Sequence, residues 1–119
     1  MSMDAISPMI RVSDYQRAKA FYVDQLGFSC ATQAGDPIVG FGIVERENVR
    51  ILLHAWDGAG EAWDNWRAYI TVTDMDALAG ELTGRGVALS KAPYVTDYGM
   101  REFEVIDPDG NVLCFGVET

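Results

Sequence analysis

Histidine occurs once in this chain, at His54, and cysteine twice, at Cys30 and Cys114, far apart and without a CxxC spacing. So small a stock of donors argues against a zinc site or a disulfide framework. The thiols read as free buried cysteines, and His54, ending an apolar run, as a core or rim residue. No apolar run approaches the length of a membrane span, and the N-terminus lacks a basic-then-apolar signal segment. The expectation is a cytoplasmic protein with no membrane partner. Basic residues are also scarce, with 9 Lys and Arg against 18 Asp and Glu, a net charge of −9. A field of that sign repels nucleic acid and attracts cations.

What the chain does have is a repeat. Its 119 residues make one domain with one hydrophobic core. Within them IRVSDYQRAKAFYVDQLGF, from Ile10, matches ITVTDMDALAGELTGRGV, from Ile70. Ile10, Val12 and Asp14 recur as Ile70, Val72 and Asp74, and Ser13 answers to Thr73. Each stretch alternates like a strand, then turns helical at a Ser/Thr-Asp pair suited to capping a helix. The apolar stripes are Tyr15, Ala18 and Tyr22, with Phe21 and Leu26 beside them, and then Met75, Leu78 and Leu82. Gly27 and Gly86 end the helices.

Three strands follow each helix. In the first half they are expected at Phe28–Gln33, Ile38–Glu45 and Val49–His54, with turns at Gly35-Asp36-Pro37 and Arg46-Glu47-Asn48. In the second half they are expected at Val87–Ala92, Met100–Ile106 and Asn111–Val117. Asp107-Pro108-Asp109-Gly110 closes the last hairpin, proline suiting its second position. The pattern is βαβββ twice, an α+β fold of two tandem modules. The first module is placed at 5–54, a Trp-rich acidic linker at 55–66 and the second module at 67–119. In each module the helix covers one sheet face, and two modules together can shelter the rest.

Paired βαβββ modules, AKAFYVDQLGF over Ala18–Phe28 and the DPDGN finish resemble the vicinal oxygen chelate superfamily. Within it, RAKAFYVDQLGF followed by YGMREFEVIDPDGN is most similar to the bleomycin-resistance proteins. The resemblance implies concave mixed sheets that enclose a ligand. Superfamily enzymes such as glyoxalase I hold a divalent metal through His, Glu or Gln on the first and last strands of the modules. Carried over position by position, those places fall on Ser7, near Ile51, on Arg67 and on Cys114. That set is expected to hold no metal, since hard and borderline ions take carboxylate and imidazole, and a guanidinium repels them.

The resemblance to bleomycin-resistance proteins implies a homodimer that sequesters a bulky cationic antibiotic without chemistry and needs no cofactor. Its N-terminal strand would cross to the partner around a hinge, here Pro8. A superfamily enzyme with an atypical or metal-free site, acting on a small metabolite, stays open as the alternative. A flat aromatic ligand needs aromatic walls. Trp56, Trp63 and Trp66 lie together among Asp57, Glu61 and Asp64, and Phe41 and Tyr98 are further candidates. Strand alternation puts Arg101, Phe103 and Val105 on one face, with Glu102, Glu104 and Ile106 on the other. The two glutamates either line the groove and neutralise a ligand's charge or form a wet sheet surface.

Overall fold

Two aspartates start the helices, as the repeat predicts. Asp14 accepts the Arg17 backbone N–H at 3.1 Å, and Asp74 accepts that of Ala77 at 3.0 Å. In this computed structural model, which describes residues 2–34, 40–55 and 65–119, the first half runs β1 (Met9–Val12), α1 (Tyr15–Ala20), β2 (Ser29–Ala34), β3 (Phe41–Arg46) and β4 (Val49–Ala55). After α1 one π-helical turn over Phe21–Gln25 carries the chain to Gly27. The second half runs β5 (Trp66–Thr71), α2 (Met75–Gly84), β6 (Leu89–Val95), β7 (Met100–Ile106) and β8 (Val112–Glu118). Gly27 and Gly86 both take the left-handed conformation, at φ 78° and 90°, which ends a helix cheaply only at a residue without a Cβ.

Each half forms one four-stranded mixed sheet, in the orders β1-β4-β3-β2 and β5-β8-β7-β6. The outer pairs β1–β4 and β5–β8 are parallel and the rest antiparallel. The expected α+β architecture of two βαβββ modules is therefore present. Most strand ends move by one or two residues. One shift matters more: Trp66, assigned to the linker, opens strand β5. The turn at Gly35-Asp36-Pro37 and the tryptophans Trp56 and Trp63 lie outside the described residues.

One face of each sheet enters a single shared core. Ile10, Val12, Val44, Ile51 and Leu53 come from the first sheet, and Ile70, Phe103, Val105, Leu113 and Phe115 from the second. Tyr15, Ala18, Tyr22 and Leu26 cover the first set, and Met75, Ala79 and Leu82 the second. Ala79 takes the buried place expected for Leu78, which is only partly buried. Each large side chain withdrawn from water here contributes about 1.5–3 kcal/mol.

The modules clasp each other reciprocally, helix to hairpin. On one side the Tyr22 hydroxyl donates to Asp107 at 2.9 Å, and Ser13 and Arg17 both donate to Asp109. Asp107 also accepts the backbone N–H groups of Asp109 and Asn111, which is why DPDGN makes so firm a turn. On the other side Arg46, at the end of β3, makes a two-pronged pair with Glu81 of α2 at 2.7 and 2.9 Å. With one face of each sheet committed to the core, the remaining side chains form two open faces.

Candidate ligand-binding face

The open face of the second sheet is where the unusual charge of β7 goes. Glu102 is fully buried and Glu104 is 9% exposed. Arg101, one residue out of phase, turns to the helix side and bonds Asp76 of α2 at 2.9 Å. The glutamates are thus not a wet surface. They are buried carboxylates, which need partners to be tolerated.

Those partners are aromatic. Tyr69 donates its hydroxyl to Glu102 Oε2 at 3.0 Å, and Tyr94 donates to Oε1 at 3.4 Å. The Tyr98 hydroxyl lies 2.8 Å from both oxygens. Two residues along, the Trp66 indole N–H donates to Glu104 Oε2 at 3.0 Å, and the Lys91 ammonium lies 3.6 Å from the same oxygen. The Trp66 and Tyr69 rings are 5.2 Å apart.

Register and one glycine make this convergence possible. Glu102 pairs with Gly116 on β8, and Glu104 with Cys114. Tyr69, on the neighbouring strand β5, lays its ring over Gly116, and a Cβ there would collide with the hydroxyl and ring of Tyr69. The phenol can therefore lie flat across β8 and reach β7.

The environment holds these groups in their neutral forms. Loss of solvent, then the Glu102 carboxylate, pushes Tyr98 up to about 12 and raises Tyr69 and Tyr94 as well. The Cys114 thiol is pushed up to about 12 by burial first, then by Glu102 and Glu104. Four tyrosine and cysteine protons therefore stay in place around two carboxylates near neutral pH. The result is an aromatic surface with negative charge behind it; Trp66, Tyr69 and Tyr98 remain 41%, 37% and 59% exposed.

Of the residues expected in the site, Trp66, Tyr98, Glu102 and Glu104 come together here. Phe41 does not join them. It lies on the open face of the first sheet, with its ring edge-on to His54 at 6.2 Å. Pro8 precedes β1 and its carbonyl accepts the Leu52 N–H at 2.9 Å. Before it, Met3 and Ile6 are almost wholly exposed. Tyr69, Tyr94 and Lys91 were not anticipated, although the alternation of Tyr69 against buried Ile70 would have placed the tyrosine on this face.

The metal positions of the superfamily do not fit an ion in this chain. Ile51 is buried in the core and its neighbour Leu52 takes the open face, so a slip of one residue only exchanges one aliphatic group for another. Arg67 brings a guanidinium that donates to Asn111. Cys114 offers one fully buried thiol, with an aliphatic residue and a guanidinium at the other positions. Among the described residues no three His, Cys, Asp or Glu gather as a metal site.

A separate cleft of about 340 Å³ opens at the module junction, lined by Phe28, Val49, Ile70, Leu78 and Phe115 with Arg46 and Glu81 among its polar groups. Its Arg46 and Glu81 are already paired with each other. The open face carries the unspent aromatic surface.

Comparison with known proteins agrees with the architecture. A family model described as "Glyoxalase superfamily protein" matches residues 1–119. The chain belongs to the glyoxalase superfamily. Among curated superfamily relatives, a bleomycin resistance protein of Geobacillus stearothermophilus is 25% identical, covering 91% of this chain and 92% of its own. Among solved structures, the bleomycin-binding protein of bleomycin-producing Streptomyces verticillus, complexed with copper(II)-bleomycin, has a TM-score of 0.77 at 28% identity. That match covers 97% of this chain and 96% of the other. TnmS3, an antibiotic-binding protein from Streptomyces sp. CB03234, has a TM-score of 0.75 at 26% identity, covering 100% and 99%. Bleomycin-resistance proteins and antibiotic binders of this superfamily are thus among its relatives, which supports a small-molecule binding role.

Proposed function

We propose that this protein sequesters a cationic, aromatic-bearing small molecule, an antibiotic or a similar compound, without altering it. One observation carries the reading: Trp66, Tyr69 and Tyr98 leave ring surface exposed directly above two buried carboxylates. Ring faces attract cations through their quadrupole, and each stacking or cation–π contact contributes about 0.5–2 kcal/mol. Buried negative charge beneath the rings strengthens that attraction, because little water screens it. Among the described residues of this face, the tyrosine hydroxyls and the Cys114 thiol hold their protons, which favours binding over chemistry.

Each open face is only half a groove, and a second copy of the chain is the natural cover. In this reading the protein is a homodimer in which the second sheet of one protomer faces the first sheet of its partner. Phe41 would then join the tyrosines from across the interface. The exposed apolar arm before Pro8, with Met3 and Ile6, would pack on the partner, and Pro8 would set its direction. A cytoplasmic location suits a protein that intercepts a drug before its target.

The test is a titration of the purified chain with copper(II)-bleomycin, followed by tryptophan fluorescence and by sedimentation. Saturable quenching at one ligand per protomer, on a dimer, is expected. Absence of quenching, with turnover of a small metabolite instead, would move the chain to the enzymatic branch of the superfamily.

A further inference from the structure

Two carboxylates lie under the aromatic face, and they are not equivalent. Glu102 is wholly buried, and its two oxygens already accept three tyrosine hydroxyls. A ligand cation would have to strip away those donors to reach it. Glu104 is less committed. It accepts one firm hydrogen bond, from the Trp66 indole, and its second partner is the Lys91 ammonium at 3.6 Å. That distance is well beyond the roughly 2.8 Å of a strong charge-assisted hydrogen bond.

The same ammonium lies over the Tyr94 ring, 5.7 Å from its centroid, near the outer limit of a useful cation–π contact. The Lys91 side chain is 59% exposed, so both contacts are weak and water competes for them. An organic cation has thus settled between a carboxylate and an aromatic ring, held loosely, on the face proposed to take organic cations.

We propose that Lys91 is a resident stand-in for the ligand's cationic group: its ammonium fills the cation subsite formed by Glu104, Trp66 and Tyr94, and an incoming organic ammonium displaces it. The proposal rests on the binding function above and adds to it which carboxylate meets the ligand and what the ligand must displace. Lys91 then sets specificity. It penalises weakly charged ligands, which cannot replace the contact that they break. It lets through those whose cation is better shaped for the rings, an alkylated ammonium above all, since such groups lose little hydration on meeting an aromatic face.

The Trp66 indole N–H reports on this subsite through its bond to Glu104, so its resonance in the ¹⁵N-labelled full-length protein gives the readout, assigned with Trp66→Phe. The probe is phenyltrimethylammonium, with benzenesulfonate as its anionic counterpart. Lys91→Met, which keeps the stem and removes the charge, is expected to bind phenyltrimethylammonium about two- to five-fold more tightly than the wild type. Lys91→Arg should restore wild-type affinity, and the gap should close near about 1 M salt. A merely structural role for Lys91 would produce neither the rescue nor the salt dependence.

Equal or weaker binding by Lys91→Met would overturn the proposal. So would preferential binding of benzenesulfonate by the wild type, which would make Lys91 an anion contact. If the wild type binds copper(II)-bleomycin but not phenyltrimethylammonium, the Lys91 assignment fails and sequestration stands. If it binds neither, both fail.

Discussion

The Tyr98 hydroxyl sits 2.8 Å from both oxygens of Glu102, so one shared proton faces a carboxylate from which solvent is excluded. Tyr69 and Tyr94 approach from the other sides. The three phenols are what make a buried carboxylate on a sheet face tolerable. Tyr69 is the more consequential anchor, since Tyr98 is 59% exposed and water can replace its hydroxyl. Tyr69→Phe is expected to lower stability by about 1–3 kcal/mol, and Tyr98→Phe by less. Urea unfolding of the two variants checks the order; a neutral Tyr69→Phe would contradict the description of Glu102 as a buried acceptor.

Trp66 is the tryptophan that the described structure places at the site, with its ring against Tyr69 and its N–H on Glu104. Trp66→Ala should weaken copper(II)-bleomycin binding by about ten-fold or more while leaving a cooperative unfolding transition, since a 41% exposed ring contributes more to contact than to the core. Calorimetric titration together with a thermal melt separates the two effects. Unchanged affinity would remove Trp66 from the site.

At the module junction the stability is pH-dependent with a definite sign. Arg46 lowers the Glu81 carboxyl below its usual 4.5, chiefly through their hydrogen bonds. A carboxylate whose folded pKa is depressed contributes stability that is fully present above the unfolded value and is lost as pH falls through the folded one. Both side chains are partly exposed, at 24% and 36%, so screening holds the effect to roughly 1 kcal/mol. Glu81→Gln should therefore be less stable than the wild type by about that amount at neutral pH. The difference should shrink as pH drops below 4.5. Denaturant melts at several pH values would show it, and a constant difference down to strong acid would exclude the ion pair as its cause.

Much of this was legible in the sequence because it is local. The caps at Asp14 and Asp74, the glycine stops and the DPDGN turn depend on neighbours a few residues away, and all sit where the pattern put them. The alternation in MREFEVI also held, placing Phe103 and Val105 in the core and Glu102 and Glu104 opposite. That the glutamate face would be dry as well was not legible, because it depends on Tyr69, Tyr94 and Tyr98, brought to one carboxylate from three different segments. Such convergence is set by register across β5, β8, β7 and β6, which no periodicity reveals.

The two cysteines should differ sharply in reactivity. Cys114 is fully buried and its thiol is pushed up to about 12 by burial and by Glu102 and Glu104, whereas Cys30 is partly exposed on β2. Alkylation follows thiolate population and access. Iodoacetamide at pH 8 should modify Cys30 in the native protein and spare Cys114 until the chain is unfolded, as peptide mass mapping would show. Prompt labelling of Cys114 would mean that the open face is wetter than the structure has it.

Gly116 and Tyr69 supply the most stringent test of the site's construction. A methyl group at position 116 would occupy the space of the Tyr69 hydroxyl and ring, so Gly116→Ala must swing the phenol away from Glu102. The clash itself is cheap to relieve, because Tyr69 is 37% exposed and can move outward. What is lost is the hydrogen bond to a buried carboxylate, so the expected cost is about 1–3 kcal/mol, similar to that of Tyr69→Phe. The two substitutions remove the same interaction, and their effects should therefore fall short of additive by about 1 kcal/mol or more in a double-mutant cycle. Strict additivity would mean that Gly116 matters for its backbone alone, and that the aromatic face does not depend on the bare stretch of β8 beneath it.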